Sequence, residues 1–181
     1  MVITIMTILF QIINNNVLSN PLSYHRETFV SQIYWQWITP SLVHANWSHW
    51  FLNIMNLYAI VFLFYEVWSV KKILLLFSLF SLLITLGVHF FLIHINSYVG
   101  MSGILYGLAV YGALWTFFKQ KLVSILILIF ILIKLIIPDI INNLMGLNDI
   151  LEDLYILTEA HFYGAILGFG FYLFEKNIYK I

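Results

Sequence analysis

Ser102 stands between glycines in Gly100-Met101-Ser102-Gly103, and His161 lies far along the chain beside Ala160. A serine within hydrogen-bond reach of an imidazole is the minimum apparatus for nucleophilic acyl transfer, the imidazole taking the hydroxyl proton as the oxygen attacks. Taken alone, a Gly-x-Ser-Gly run in an apolar chain is more often a helix start and packing motif than a nucleophile. His49, Asn53 and Asn56 add a second group, because offsets of zero, four and seven put them on one face of a helix inside an apolar run. An amide donor at Asn53 can stabilise an oxyanion, an interaction typically worth about 2.7–4 kcal/mol in the transition state. Glu159, two positions from His161, faces another side of its helix and is not proposed as a third member of a triad.

The elements that must position these residues are apolar helices. Of 181 residues, 62% are hydrophobic and only 9% are charged, and the mean hydropathy is +0.96. A water-soluble core of this size could not hide so much apolar surface, so lipid is the expected solvent. Six apolar runs are separated by short polar breaks: Met1 to Ile13, Trp50 to Tyr65, Ile73 to Ile93, Ser102 to Phe118, Leu122 to Ile137, and Leu157 to Phe174. The expected fold is an all-α membrane protein, a polytopic six-helix bundle in a single domain over 1–181. The first run is shorter than a spanning helix needs, yet it lacks the basic start and small-residue cleavage site of a signal peptide, so it is read as a retained helix.

Lys71 and Lys72, Lys119 and Lys121, and Lys176 and Lys180 fall between alternate runs or after the last, which assigns those regions and both termini to the cytoplasm. Asp139, Asp149, Glu152, Asp153 and Glu159 then belong to an acidic outer loop, 138–156 and its border, with Lys134 snorkelling to the same interface. A second outer loop, 14–48, carries Tyr34, Trp35, Trp37 and Trp47 and reads as folded and partly embedded in the membrane interface. On this topology Ser102, His161, His49 and Asn53 gather at the outer face, with His89 and His94 on the same side and without an assigned role. Small residues permit two helices to meet there: Tyr106, Ala109 and Ala113 lie below Ser102, and Gly164, Ala165 and Gly168 lie below His161. There is no cysteine, which excludes disulfides and thiolate sites, and the scattered basic residues leave no footprint for nucleic acid. No cofactor is expected.

At these residues the chain resembles the rhomboid family of intramembrane proteases. The matching runs are His44-Ala-Asn-Trp-Ser-His49-Trp-Phe-Leu-Asn53, Gly100-Met-Ser102-Gly103-Ile-Leu-Tyr106, and Ala160-His161-Phe-Tyr-Gly164-Ala-Ile-Leu-Gly168. The resemblance implies a Ser102–His161 dyad, Tyr106 stacked on the histidine ring, and His49, Asn53 and the Ser102 amide around the oxyanion. His44, Gly100 and Gly103 are the supporting residues, with His44 expected to hold the loop. Trp35-Gln36-Trp37 departs from the Trp-Arg pair common in the family, which puts the anchoring of the first loop in question. Tyr98-Val-Gly-Met-Ser102-Gly and Ala160-His161-Phe-Tyr163-Gly-Ala look like the rhombosortase subgroup, associated with exported proteins that end in Gly-Gly, a hydrophobic helix and a basic tail. The implied partners are membrane-anchored protein substrates and the bilayer, and the implied place is a bacterial inner membrane with the site opening to the periplasmic side.

Two rival readings remain. An inactive rhomboid-like chaperone or trafficking factor would be expected to lose Ser102 or His161, and both are present. A histidine-ligated metal or haem protein would use the outer histidines, but there is no His-Glu-x2-His run, His44 and His49 do not share a helix face, and Ser102 would have no task.

Overall fold

The computed structural model describes residues 1–13, 21–29, 34–137 and 157–179. Its helices are α1 (Val2–Ile13), the single turn α2 (Arg26–Phe29), α3 (Trp47–Leu63), α4 (Val70–Phe91), α5 (Ser102–Trp115), α6 (Lys121–Ile136) and α7 (Thr158–Tyr179). All but α2 form where the sequence is apolar, with ends displaced by a few residues. Local chemistry sets several of these ends. The Asn46 side chain accepts a hydrogen bond from the His49 amide at 2.8 Å and starts α3, and Ser69 does the same for the Lys72 amide at the start of α4. The acidic loop 138–156 lies outside the described residues.

Of these helices, α4 alone is both long and apolar enough to cross a membrane by length and composition, while α1 and α5 are apolar but shorter. The expected count of six crossings therefore does not follow from helix length. With 12 residues, α1 is only about 18 Å long.

The helix that begins at Ser102 is the centre of the bundle. Ten of the 14 residues of α5 are buried, on every side of the helix, the pattern of a helix enclosed by others. Its most extensive partner is α7. A Cβ added at Gly103 would stand 2.6 Å from the Ala160 carbonyl oxygen, and one at Gly107 would stand 2.7 Å from that of Gly164. In return, Gly164 and Gly168 face the carbonyl oxygens of Gly103 and Gly107 with no room for a side chain. Such backbone-to-backbone packing suits Cα–H···O contacts of about 0.5–1 kcal/mol each. The small-residue stripe of α5 thus differs from the expected one. Gly103 and Gly107, not Ala109 and Ala113, make the close approach, because only a missing Cβ lets the two backbones touch.

The opposite ends of these helices hold a charged cluster. Lys72 Nζ lies 3.0 Å from Glu175 Oε2, the Tyr111 hydroxyl donates to the same carboxylate oxygen, and Lys119 pairs with Glu66. The Lys72 ammonium also sits 4.8 Å from the centre of the Tyr111 ring and 5.6 Å from that of Trp115. This ties α4, α5 and α7 together at the end far from Ser102.

Candidate active site

Ser102 occupies the first turn of α5, where backbone N–H groups have no acceptor within the helix and the helix dipole favours negative charge. The turn before it needs Gly100. Its φ is +111°, and a Cβ there would meet His49 Cε1 at 2.8 Å and Nε2 at 3.2 Å. The same glycine therefore allows the turn and lets the His49 ring of α3 pack against it. The Gly100 amide donates to the Pro40 carbonyl at 2.8 Å, and the Tyr98 hydroxyl donates to the Gly100 carbonyl at 2.9 Å.

From α7, His161 reaches across the glycine contact. Its Nε2 lies 2.8 Å from Ser102 Oγ, and its ring stacks on Tyr106 with centroids 4.4 Å apart and planes 2° from parallel. Because α5 and α7 touch through backbone at Gly103 and Ala160, the serine and histidine just above that contact are held at one depth. Among the described residues no carboxylate is hydrogen-bonded to His161. The imidazole is oriented by the flat face of a phenol ring and by burial.

Asn53 is buried one turn along α3 from His49, and its Nδ2 has no hydrogen-bond partner. A buried N–H left unpaired costs about 1–3 kcal/mol, so such a group in a folded protein calls for an explanation. His49 Nδ1 and both ring nitrogens of His44 are likewise buried without partners. Burial first, and the neighbouring His49 second, hold the pKa of His44 well below the ordinary histidine range. Its backbone, not its ring, anchors the loop, the amide donating to Gln11 Oε1 of α1 at 3.1 Å. Asn56 does not share the buried face with Asn53. It is exposed on the outside of α3, since three residues carry it far enough round the helix to leave the interior.

The first loop is anchored by residues that the sequence reading passed over. Arg26, the chain's single arginine, donates from Nε to the Ile95 carbonyl at 2.9 Å. Its terminal nitrogens donate to the carbonyls of His89 at 2.8 Å, Val88 at 3.1 Å and Leu92 at 2.7 Å. The Val88 and His89 carbonyls belong to the last turn of α4 and that of Leu92 to its C-cap, where a cation is favoured; those of Val88 and Leu92 also accept the Leu92 and Ile95 amides. Gln36 is buried and donates to the Pro21 carbonyl at 3.2 Å, so the residue in the middle of Trp35-Gln36-Trp37 holds the loop as well. The strand β1 (Tyr24–His25) pairs antiparallel with β2 (Ser97–Tyr98), which Val99 alone separates from Gly100. The Tyr24 hydroxyl meets His89 Nδ1 at 2.9 Å, giving that histidine a structural partner, while His94 is exposed. A rank order of basic residues would have found Arg26: one arginine against seven lysines, where five fixed donors suit several carbonyls at once.

The site is therefore a serine and an imidazole in hydrogen-bond contact at the end of two helices that touch through glycine, with the buried, unpaired amide donor Asn53 Nδ2 on a third helix. Among the described residues no three His, Asp or Glu side chains gather closely enough to hold a metal ion. No curated protein matches the chain. A family model described as the rhomboid domain matches residues 31–176, well over half of the sequence and all of the residues just described except those of α1 and the first part of the loop; the chain belongs to the rhomboid family of integral membrane proteins.

Proposed function

We propose that this protein is an intramembrane serine endopeptidase in which Ser102 is the nucleophile and His161 the general base. The family consists mostly of serine proteases acting on membrane-protein substrates within the bilayer. The observation that carries the reading for this chain is the 2.8 Å contact between His161 Nε2 and Ser102 Oγ, within the range required of a nucleophile and its base. An inactive relative has no need to keep that pair intact.

In this mechanism Ser102 Oγ attacks the scissile carbonyl carbon while its proton passes to His161 Nε2. The negative charge that develops on the carbonyl oxygen is met by the Ser102 backbone N–H, Asn53 Nδ2 and His49. Asn53 Nδ2, buried without a partner, awaits an acceptor that exists only once the substrate reacts, which is how binding energy is reserved for the transition state. His161 then gives its proton to the leaving amine, and the acyl group stays on Ser102. Water, deprotonated by His161, releases it as an acid; a small amine in place of water releases it as an amide. The six helices α1 and α3 to α7 are all embedded in the bilayer in this reading, with the dyad at the outer, periplasmic face of a bacterial inner membrane and the Lys72–Glu175 end at the cytoplasm. The substrate class that the Ser102 and His161 motifs favour is the rhombosortase one, exported proteins ending in Gly-Gly, a hydrophobic helix and a basic tail.

The test is labelling of the detergent-solubilised protein by a fluorophosphonate probe, comparing wild type with Ser102→Ala and His161→Ala. Labelling of the wild type alone is expected. Equal labelling of all three, or none of the wild type, sinks the dyad. For the substrate class, two membrane-anchored reporters that differ only in the Gly-Gly pair are offered to the active protein; equal cleavage returns it to a general rhomboid protease. The mass of the released product, measured with and without an added amine, distinguishes hydrolysis from transfer.

A further inference from the structure

We infer that His44 is a positioning residue for the oxyanion pocket: it donates a hydrogen bond to His49 Nδ1, directly or through one water, and so fixes the His49 proton on Nε2. The inference rests on the reading of His49 as an oxyanion donor. Its starting point is three buried ring nitrogens without hydrogen-bond partners, both nitrogens of His44 and Nδ1 of His49. They belong to neighbouring rings, whose centroids are 5.2 Å apart with planes at 79°. A neutral imidazole carries one donor and one acceptor, so two such rings can satisfy one another only as a donor facing an acceptor. Rings at that separation are close enough for one nitrogen to face the other directly or across one bridging water.

The direction of the bond is set by what lies on the far side of each ring. His49 Nε2 and Cε1 face Gly100, in the turn immediately before Ser102, which is the side where charge develops during acyl transfer. For Nε2 to donate there, a neutral His49 must leave Nδ1 bare as an acceptor, and the donor supplied to it must come from the His44 side. Which ring nitrogen of a histidine is protonated is decided by the bond the other nitrogen makes. His44 is well placed to decide it. Its side chain has no exposure, its backbone is pinned to Gln11 of α1, and the start of α3 is fixed by the Asn46 cap on the His49 amide. Wrong tautomers are expensive in such sites even when the geometry is unchanged.

The experiment is 15N NMR of the full-length protein labelled at histidine, with the His49 signals assigned by their loss in His49→Asn. In the wild type His49 is expected with a protonated Nε2 and a bare, hydrogen-bonded Nδ1. In His44→Phe, which keeps a planar ring and removes the donor, an Nδ1-protonated population of His49 should appear, and His44→Gln should suppress it again. Alongside, kcat for His44→Phe should fall roughly ten- to a hundred-fold with KM unchanged, short of the ~10²–10³ cost of deleting a whole oxyanion donor, and His44→Gln should recover most of it. A wild-type His49 protonated at Nδ1, or a His49 tautomer indifferent to His44→Phe, overturns the inference. Should His44→Phe not fold, the wild-type spectrum and His44→Gln still decide. The spectrum needs no turnover, so a protein without Ser102-dependent cleavage would defeat the protease reading while leaving the tautomer result to stand or fall by itself.

Discussion

The two ends of the bundle treat polar atoms in opposite ways. Away from the serine, Lys72 and Glu175, and Lys119 and Glu66, are paired, and the Tyr111 hydroxyl adds a second bond to Glu175. Near the serine, Asn53 Nδ2, His49 Nδ1 and both His44 nitrogens are buried and unpaired. Trp115 Nε1 is an unpaired donor at the paired end, so the contrast concerns the ionisable and amide groups rather than every polar atom. Pairing stabilises a fold, whereas a donor held unpaired lowers stability and is kept where something else needs it. One end thus looks built for holding and the other for reacting, and substitutions at the two ends should separate stability from activity.

The largest separation is expected at the dyad. Ser102→Ala should lower cleavage by about 10⁴-fold or more while leaving the midpoint of unfolding in detergent where it was, and a shift in the midpoint would mean that Ser102 is structural. Gly164→Val attacks both properties at once, because its side chain would run into the Gly103 carbonyl. It should cost at least the roughly 1–3 kcal/mol of an overpacked core and abolish cleavage. Gly170→Val, with nothing within 4 Å of its Cβ, should do neither. Asn53→Leu is the most telling of the four. If Nδ2 is an oxyanion donor, kcat falls ~10²–10³-fold and the protein becomes no less stable, since a buried unpaired group worth about 1–3 kcal/mol has been removed. A destabilised Asn53→Leu with unchanged kcat would reassign Asn53 to the holding class.

How much of this was legible beforehand differs by residue, for physical reasons. The bond between Ser102 and His161 joins residues whose helices carry small side chains at helical spacing, a pattern with one ready explanation, close approach. Spacing below Ser102 nevertheless points to Ala109 and Ala113, one position round the helix from the Gly103 and Gly107 that make the contact. Helical periodicity locates a face, but only the identity of glycine marks contact between backbones. Spacing likewise groups Asn56 with Asn53, because a face read from spacing alone is wider than the strip that is buried. Arg26 was invisible to periodicity, since its partners are the carbonyls of α4, and backbone acceptors leave no mark in a sequence. Unpaired atoms such as those of His44 are likewise a property of three dimensions alone.

At the paired end the expected effects are smaller and fall on stability. Glu175→Gln leaves Lys72 without its counter-charge at a site where the carboxylate side chain is only 15% exposed. Hydrogen bonds to charged groups contribute about 1.5–3 kcal/mol, so a loss of that size is expected in detergent unfolding, with kcat within a factor of about two of wild type because the dyad stands at the other end of α5 and α7. A large fall in kcat without a loss of stability would show the two ends to be coupled. The smallest effect belongs to Lys119→Ala. The Lys119 hydrogen bond, and then its charge, hold the Glu66 carboxyl below the ordinary value of 4.5. A depressed carboxylate favours the fold above its unfolded pKa, and that contribution is lost as pH falls through the lower, folded value. Here the lysine side chain is 71% exposed and the glutamate 37%, and surface pairs of this kind are screened by salt and offset by side-chain entropy. The acid side of the stability profile of Lys119→Ala should therefore overlay that of the wild type at physiological ionic strength. A clear separation of the two curves below pH 4.5 would move Glu66 and Lys119 from the surface into the working structure of that end.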